Sequence, residues 1–240
     1  MTEPSSAPTE APVTTVAFVL YPGLTPLDMV GPLQVIGALA ELVPGFRTVV
    51  VGERIEPMDS DIPLKLVPSH TFEDMPDPYA LIVPGGFQPT LAAMADEGLL
   101  RKLREAAARA EVVGSVCTGS LLLGAAGLLE GREATSHWMY RDLLARFGAT
   151  PVARRWVEDG PVITAAGVSA GVDMALHLVD RLAGREAART VQLFLEYDPE
   201  PPLGPVDWTP VDAGAFVPFA EENLRASLAD HPALLARLTG

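Results

Sequence analysis

Short runs of apolar, mostly β-branched residues place the strongest constraint on this chain. They are Thr14 to Leu20 (TTVAFVL), Arg47 to Val51, Ala80 to Val83, Val112 to Val116 and Val162 to Thr164. Several are apolar throughout, with no alternation between apolar and polar positions. A strand of that kind has both of its faces covered, and antiparallel sheets with one wet face do not produce it. Segments with helical periodicity separate the runs. Asp96 to Ala110, for example, turns Leu99, Leu100, Leu103 and Ala107 to one side and Arg/Glu residues to the other. The pattern predicts an α/β fold with a mostly parallel sheet and helices on both faces. No period of 20–50 residues recurs, which excludes a solenoid.

Local signals refine this outline. Thr25 followed by Pro26 marks a helix start, with Asp28 in the first turn and Pro32 expected to kink or restart the helix. A short strand is expected near Leu64 to Val67. Helices are expected over Gly119 to Ala126, Trp138 to Phe147, Ala170 to Ala183 and Arg185 to Tyr197, and again near the C-terminus. Asp159-Gly160, between two short runs, predicts a hairpin. Residues 1–12 are rich in Pro, Ser, Thr and Glu and read as a flexible tail. Residues 13–202 read as one α/β domain, and 203–240 as a helical extension packed on that domain or across a dimer.

Composition narrows the functional classes. The 240 residues include 17 Lys/Arg and 31 Asp/Glu, for a net charge of −14. Such a chain is repelled by phosphate backbones and anionic lipid, so neither nucleic acid nor membrane is an expected partner. The uncharged stretch from Val112 to Leu129 contains four glycines, which suits a buried strand and helix better than a span. No apolar signal-peptide core opens the chain, so the expected location is the cytoplasm. A single cysteine, Cys117, leaves no disulfide framework. The four histidines lack metal-ligand spacing, and neither a metal nor a cofactor is expected. There is no phosphate-binding glycine loop, and the two lysines, Lys65 and Lys102, lie outside glycine-rich contexts.

Ligands in such folds bind beyond the carboxyl ends of the strands. Three segments fall there. Ser115-Val116-Cys117-Thr118-Gly119 has the small-x-nucleophile-x-Gly form of a tight strand-to-helix turn. A sulfur at that position faces free helix amides, which favour thiolate. A buried, inert cysteine is the bland alternative. Val83-Pro84-Gly85-Gly86-Phe87 follows another strand. The Gly85 and Gly86 amides are either oxyanion donors or part of a tight turn. Asp28 either complements its helix dipole or points a carboxyl group at the sulfur, in which case the two groups titrate together. His137, in Ala134-Thr135-Ser136-His137-Trp138, is either a base for Cys117 or a structural histidine. His177 reads as a packing residue, and His70 and His231 as surface residues.

Taken together, Val16–Leu20, Leu27-Asp28-Met29-Val30-Gly31-Pro32, Val83–Gly86, Ser115–Ser120, Ala134–Trp138 and Gln192–Tyr197 resemble the ThiJ/PfpI superfamily, and within it the isonitrile hydratase branch. The resemblance spans roughly residues 14–202. It implies a flavodoxin-like, doubly wound α/β fold, a homodimer and no cofactor. It also implies a small-molecule isonitrile substrate, R–N≡C, hydrated to an N-substituted formamide. By this resemblance Cys117 is the nucleophile, Asp28 its acid/base partner and Thr118 a supporting residue, with the Gly86 and Thr118 amides near the sulfur. The chemistry suits the residues. An isonitrile carbon carries a lone pair and becomes electrophilic on protonation, so an acid beside a soft nucleophile is needed. Cys117 would add while Asp28 delivers a proton, giving a thioimidate that water then opens. That role requires Asp28 to retain a proton through burial or sharing.

The nearest rivals fit less well. Peptidase-like members of the superfamily carry His after the nucleophile, where this chain has Thr118. Glyoxalase- or deglycase-like members offer Glu where this chain has Asp28. A class-I glutamine amidotransferase needs a His-x-Glu pair downstream, and none exists. AraC-type regulators carry a similar sensor domain and continue into a DNA-binding domain. Here Glu196 to Asp230 contains eight acids and one base, Arg225, which does not suit DNA. A ligand- or redox-sensing module using Cys117 is the remaining non-enzymatic reading.

Overall fold

The computed structural model describes residues 13–209 and 211–240. The tail expected over residues 1–12 lies outside the described residues. The strands are β1 (Thr14–Val19), β2 (Phe46–Gly52), β3 (Met58–Asp59), β4 (Lys65–Leu66), β5 (His70–Thr71), β6 (Ala80–Val83), β7 (Val112–Val116), β8 (Glu133–Ala134), β9 (Thr150–Pro151), β10 (Trp156–Asp159) and β11 (Val162–Ala165). Seven of them form one sheet in the order β10-β11-β7-β6-β1-β2-β5. Every pairing in it is parallel except the β10–β11 hairpin, which turns at Asp159-Gly160 as expected.

The helices are α1 (Pro26–Leu42), α2 (Gln88–Ala93), α3 (Glu97–Ala107), α4 (Gly119–Ala125), α5 (Ala170–Phe194), α6 (Val217–Ser227) and α7 (Pro232–Thr239). They flank the sheet, giving the flavodoxin-like α/β architecture. α1 and α5 pack on each other, while α4 packs against α2 and α3. β6 and β7 are buried along their whole length and β1 from Thr15 onward: Val16 to Val19 and Leu81 are 0% exposed. Two covered faces account for their unbroken apolar character.

The chain enters the sheet at β1, winds outward to β2, then crosses back to β6 on the other side of β1. The strand order therefore reverses between β1 and β6. In open α/β sheets that reversal leaves a crevice beyond the strand ends. Asp28 follows β1, Gly85 follows β6 and Cys117 follows β7, so all three lie at its rim.

Some local expectations change. Pro32 neither breaks nor restarts α1, which runs as one element from Pro26 to Leu42. Packing on α5 holds it. A Cβ built at Gly31 would lie 3.1 Å from Val172, and one at Gly171 would lie 3.4 Å from the Pro32 ring. The expected break between two C-terminal helices does occur, at Gly184, whose φ of 85° and ψ of 166° interrupt α5. Trp138 to Phe147, expected as an α-helix, is instead a turn followed by a 3-10 helix over Arg141–Phe147. The expected strand near Leu64 shrinks to β4, paired with β3 in a separate ladder. Val112 to Leu129 is β7, α4 and a turn. Among the described residues no helix is long and apolar enough to cross a membrane.

Candidate active site

The turn after β7 carries the first functional side chain. Cys117 has φ of 58°, a left-handed conformation that costs energy for a residue with a Cβ. Three hydrogen bonds hold it there. Its amide donates to the Ala165 carbonyl at 3.0 Å. Its carbonyl accepts the Ser120 and Ser136 hydroxyls, each at 3.1 Å. The sulfur thus sits between the end of its strand and the start of α4.

Glycines permit the close approach of the neighbouring segment. A Cβ on Gly119 would lie 2.2 Å from the Val83 carbonyl oxygen, and one on Gly85 would lie 2.5 Å from the Thr118 nitrogen. Both contacts are with backbone, so nothing flexible can yield. The loop after β6 is thereby pressed onto the cysteine turn, and hydrogen bonds fasten it. The Thr118 hydroxyl donates to the Gly86 carbonyl at 2.6 Å and accepts from the Gly86 amide at 2.9 Å.

The Gly85 amide donates to Asp28 Oδ2 at 3.1 Å. The Gly85 carbonyl accepts from the Thr25 amide at 2.9 Å. Thr25 precedes α1, yet its hydroxyl caps nothing and instead hydrogen-bonds Asp61. Two amides anticipated as oxyanion donors are therefore spent inside the protein: Gly85 on Asp28 and Gly86 on Thr118. The Thr118 hydroxyl is likewise engaged with Gly86.

Asp28 is fully buried, and its Oδ1 makes no well-aligned hydrogen bond with any described protein group. Burial pushes its pKa from the usual 3.8 up to about 7, against the lowering effect of the Gly85 amide and of contact with the Cys117 thiol. Cys117, 6% exposed, moves the same way. Burial and the facing Asp28 charge raise its pKa well above the usual thiol range, with the Thr118 amide opposing. The expectation that helix amides would favour thiolate is reversed, because desolvation and a like charge outweigh one short turn of helix. The two side chains form a coupled pair, and the sulfur holds its proton.

His137 stands apart from this pair. Its Nδ1 accepts from the Met139 amide at 3.4 Å, within its own turn. Burial alone lowers its pKa and keeps it neutral, and no hydrogen bond joins it to Cys117 among the described residues. The turn carrying it is nevertheless part of the site through Ser136. His177 pairs with Glu158 at 2.7 Å on a different part of the surface. There a groove of about 410 Å³ runs along α5, lined in part by Trp156, Asp173, Arg189 and Tyr197. That groove does not reach the sulfur. No group of three or more His, Cys, Asp or Glu side chains suited to a metal occurs among the described residues.

Several site residues carried no sequence signal. Tyr21, directly after the first strand, is buried and donates to the Pro84 carbonyl at 2.9 Å, with Thr90 Oγ1 also at 2.9 Å. Burial pushes its pKa up, so it stays neutral beside the pair. Tyr140 and Asn223 meet at 3.3 Å, and Asn223 comes from α6 in the C-terminal segment. Nothing in a pattern of single residues announces that contact.

Comparison with known proteins agrees with this arrangement. A family model described as the DJ-1/PfpI family matches residues 14–181. An isonitrile hydratase from Pseudomonas putida is 45% identical over 188 residues, covering 78% of this chain and 80% of that protein. A solved structure of a ThiJ/PfpI family protein from Pseudomonas syringae aligns with a TM-score of 0.83 at 37% identity, over 99% of each chain. The transcriptional regulator CdhR of Pseudomonas aeruginosa is 36% identical over 110 residues, which are 45% of this chain and 32% of the regulator.

Proposed function

The chain belongs to the DJ-1/PfpI family, and within it we propose that this protein hydrates an isonitrile to an N-substituted formamide, with Cys117 as nucleophile and Asp28 as proton carrier. One observation carries the reading: a buried carboxyl group whose pKa is about 7 is coupled to the only cysteine, held on a strained turn. Similarity to the Pseudomonas putida isonitrile hydratase over most of both chains supports it.

The chemistry follows from the proton count. In the resting pair the sulfur is a thiol, and the Asp28 carboxylate is the base beside it. Asp28 takes the thiol proton as sulfur bonds to the isonitrile carbon, and it delivers that proton to the same carbon. The product is the thioimidate Cys117–S–CH=N–R, and Asp28 is again a carboxylate. Water then adds: Asp28 accepts one of its protons, the oxygen bonds to carbon, and the nitrogen receives the proton. Collapse passes the remaining hydroxyl proton to sulfur as the C–S bond breaks, releasing R–NH–CHO and the thiol. A single group gives and takes at each step. A pKa near the working pH makes both transfers cheap. Every proton and electron pair comes from substrate, water, Cys117 or Asp28.

Incubation with a simple aryl or alkyl isonitrile, followed by chromatography of the formamide, tests the reading. Cys117→Ala should abolish turnover, and Asp28→Asn should nearly abolish it with the fold intact. No formamide from the wild type, with conversion of methylglyoxal instead, would replace this reading with a glyoxalase-like one. No turnover together with a stable oxidised Cys117 would favour a sensor.

A further inference from the structure

Hydration leaves an oxygen on the reacting carbon, and that oxygen gains charge as the tetrahedral adduct forms and collapses. Enzymes commonly meet such an oxygen with fixed hydrogen-bond donors. Here several nearby donors are occupied, and the Thr118 amide faces the sulfur itself. The Gly85 amide serves Asp28, the Gly86 amide serves Thr118, and the Thr118 hydroxyl gives its own hydrogen to Gly86.

Tyr140 is placed to fill that need. It is 2% exposed and closes the turn that starts at His137, directly after Ser136, whose hydroxyl is bonded to the Cys117 carbonyl. Its phenol oxygen accepts from Asn223 Nδ2 at 3.3 Å, and Asn223 Oδ1 accepts from Gln88 Nε2 at 2.8 Å. Because Asn223 supplies the hydrogen in that contact, the hydrogen of the phenol remains unspent among the described residues. Gln88 lies two residues beyond Gly86. The relay therefore joins the two loops that flank the sulfur through one side chain of α6. Burial pushes the phenol's pKa up against the Asn223 hydrogen bond and keeps it protonated.

We propose that the Tyr140 hydroxyl donates a hydrogen bond to the water-derived oxygen on the reacting carbon, and that Asn223, oriented by Gln88, is the positioning residue that aims it. The proposal rests on the hydration reading above. It involves no proton transfer by Tyr140. It makes α6 of the C-terminal segment part of the active site.

The test combines turnover with binding of the product, an N-substituted formamide, whose carbonyl oxygen occupies the same place. Tyr140→Phe should lower kcat on the order of 10²-fold with little change in KM. It should weaken formamide binding, measured by calorimetry, by about 5- to 10-fold. Asn223→Leu should move both quantities in the same direction, and should cost nothing further when added to Tyr140→Phe. Asn223→Asp keeps the size but offers an acceptor that captures the phenol hydrogen, so it should resemble Tyr140→Phe. Circular dichroism of each variant checks the fold. Wild-type kcat and formamide affinity in Tyr140→Phe would overturn the proposal. Additive losses, or an unimpaired Asn223→Asp, would overturn the role of Asn223. A wild type that binds formamide but hydrates no isonitrile would sink the hydration reading alone, and binding would still decide the role of Tyr140. A wild type that does neither would sink both.

Discussion

A carboxyl group with no exposed surface is costly to ionise, and Asp28 expresses that cost as a pKa near 7. Two consequences are measurable. The productive pair carries one proton shared between Asp28 and Cys117, so kcat/KM should rise with pH through about 7 as the first proton leaves. It should fall again only at much higher pH, when the thiol ionises. An acid limb centred near 4 would contradict this. The second consequence concerns stability. Between pH 3.8, the ordinary value, and about 7 the folded chain holds a proton on Asp28 that the unfolded chain has lost. The stabilisation from that proton is complete below pH 4 and disappears as pH rises through 7. The shift corresponds to on the order of 4 kcal/mol. Asp28→Asn escapes the loss. Its melting temperature should exceed that of the wild type at pH 8, by about 2–4 °C for each kcal/mol recovered, and should match it near pH 4. At this scale Cys117 and Asp28 were legible as candidates, a cysteine between small residues and an acid just after the first strand, while the role given to Asp28 came from the family resemblance and their contact only from the fold. Their charge state was not readable, because desolvation depends on which segments fold over them.

Elements were legible in proportion to their length and periodicity. The long apolar strands and α3 carry their own signal, and so does the Asp159-Gly160 hairpin. Two-residue strands such as β5 carry none, and α2 is too short for a period. Pro32 shows packing at work against propensity, since α5 lies against α1 and the helix continues past the missing hydrogen bond without a break. Gly85 and Gly86 were read as oxyanion donors or a tight turn, and Gly119 as the small residue of the cysteine turn; in the fold Gly85 and Gly119 allow the close contact between these two turns. That difference yields a test. Gly119→Ala drives a methyl to 2.2 Å from a backbone oxygen and should cost about 1–3 kcal/mol or more, with loss of turnover. Gly37→Ala, on α1 with nothing within 4 Å, should instead raise stability by about 0.4–1 kcal/mol. Thermal melts of the two variants should move in opposite directions.

Across the whole molecule, the C-terminal segment is joined to the remainder by both apolar and polar contacts. Leu224 is 2% exposed, Asn223 bridges Gln88 and Tyr140, and the Arg237 guanidinium donates to the Arg146 carbonyl at 2.8 Å. Trp208 lies 5.9 Å from Trp138, and Phe216 meets the same ring edge-on at 5.0 Å. These links predict one cooperative unfolding transition, with tryptophan fluorescence and activity lost together. Leu224→Ala should lower stability by about 2–5 kcal/mol without splitting the transition, and a separate early transition would mean that the segment folds independently. The burial that holds Cys117 protonated has a further effect at this scale. A buried, protonated thiol reacts more slowly than a thiolate with aldehydes, quinones and alkylating agents. An isonitrile differs from all of these because its carbon offers a lone pair to receive the hydrogen as sulfur arrives. In the hydration proposed above, the carbon that sulfur attacks is also the atom to which Asp28 returns the thiol proton, so that chemistry is tied to electrophiles able to accept both at one atom.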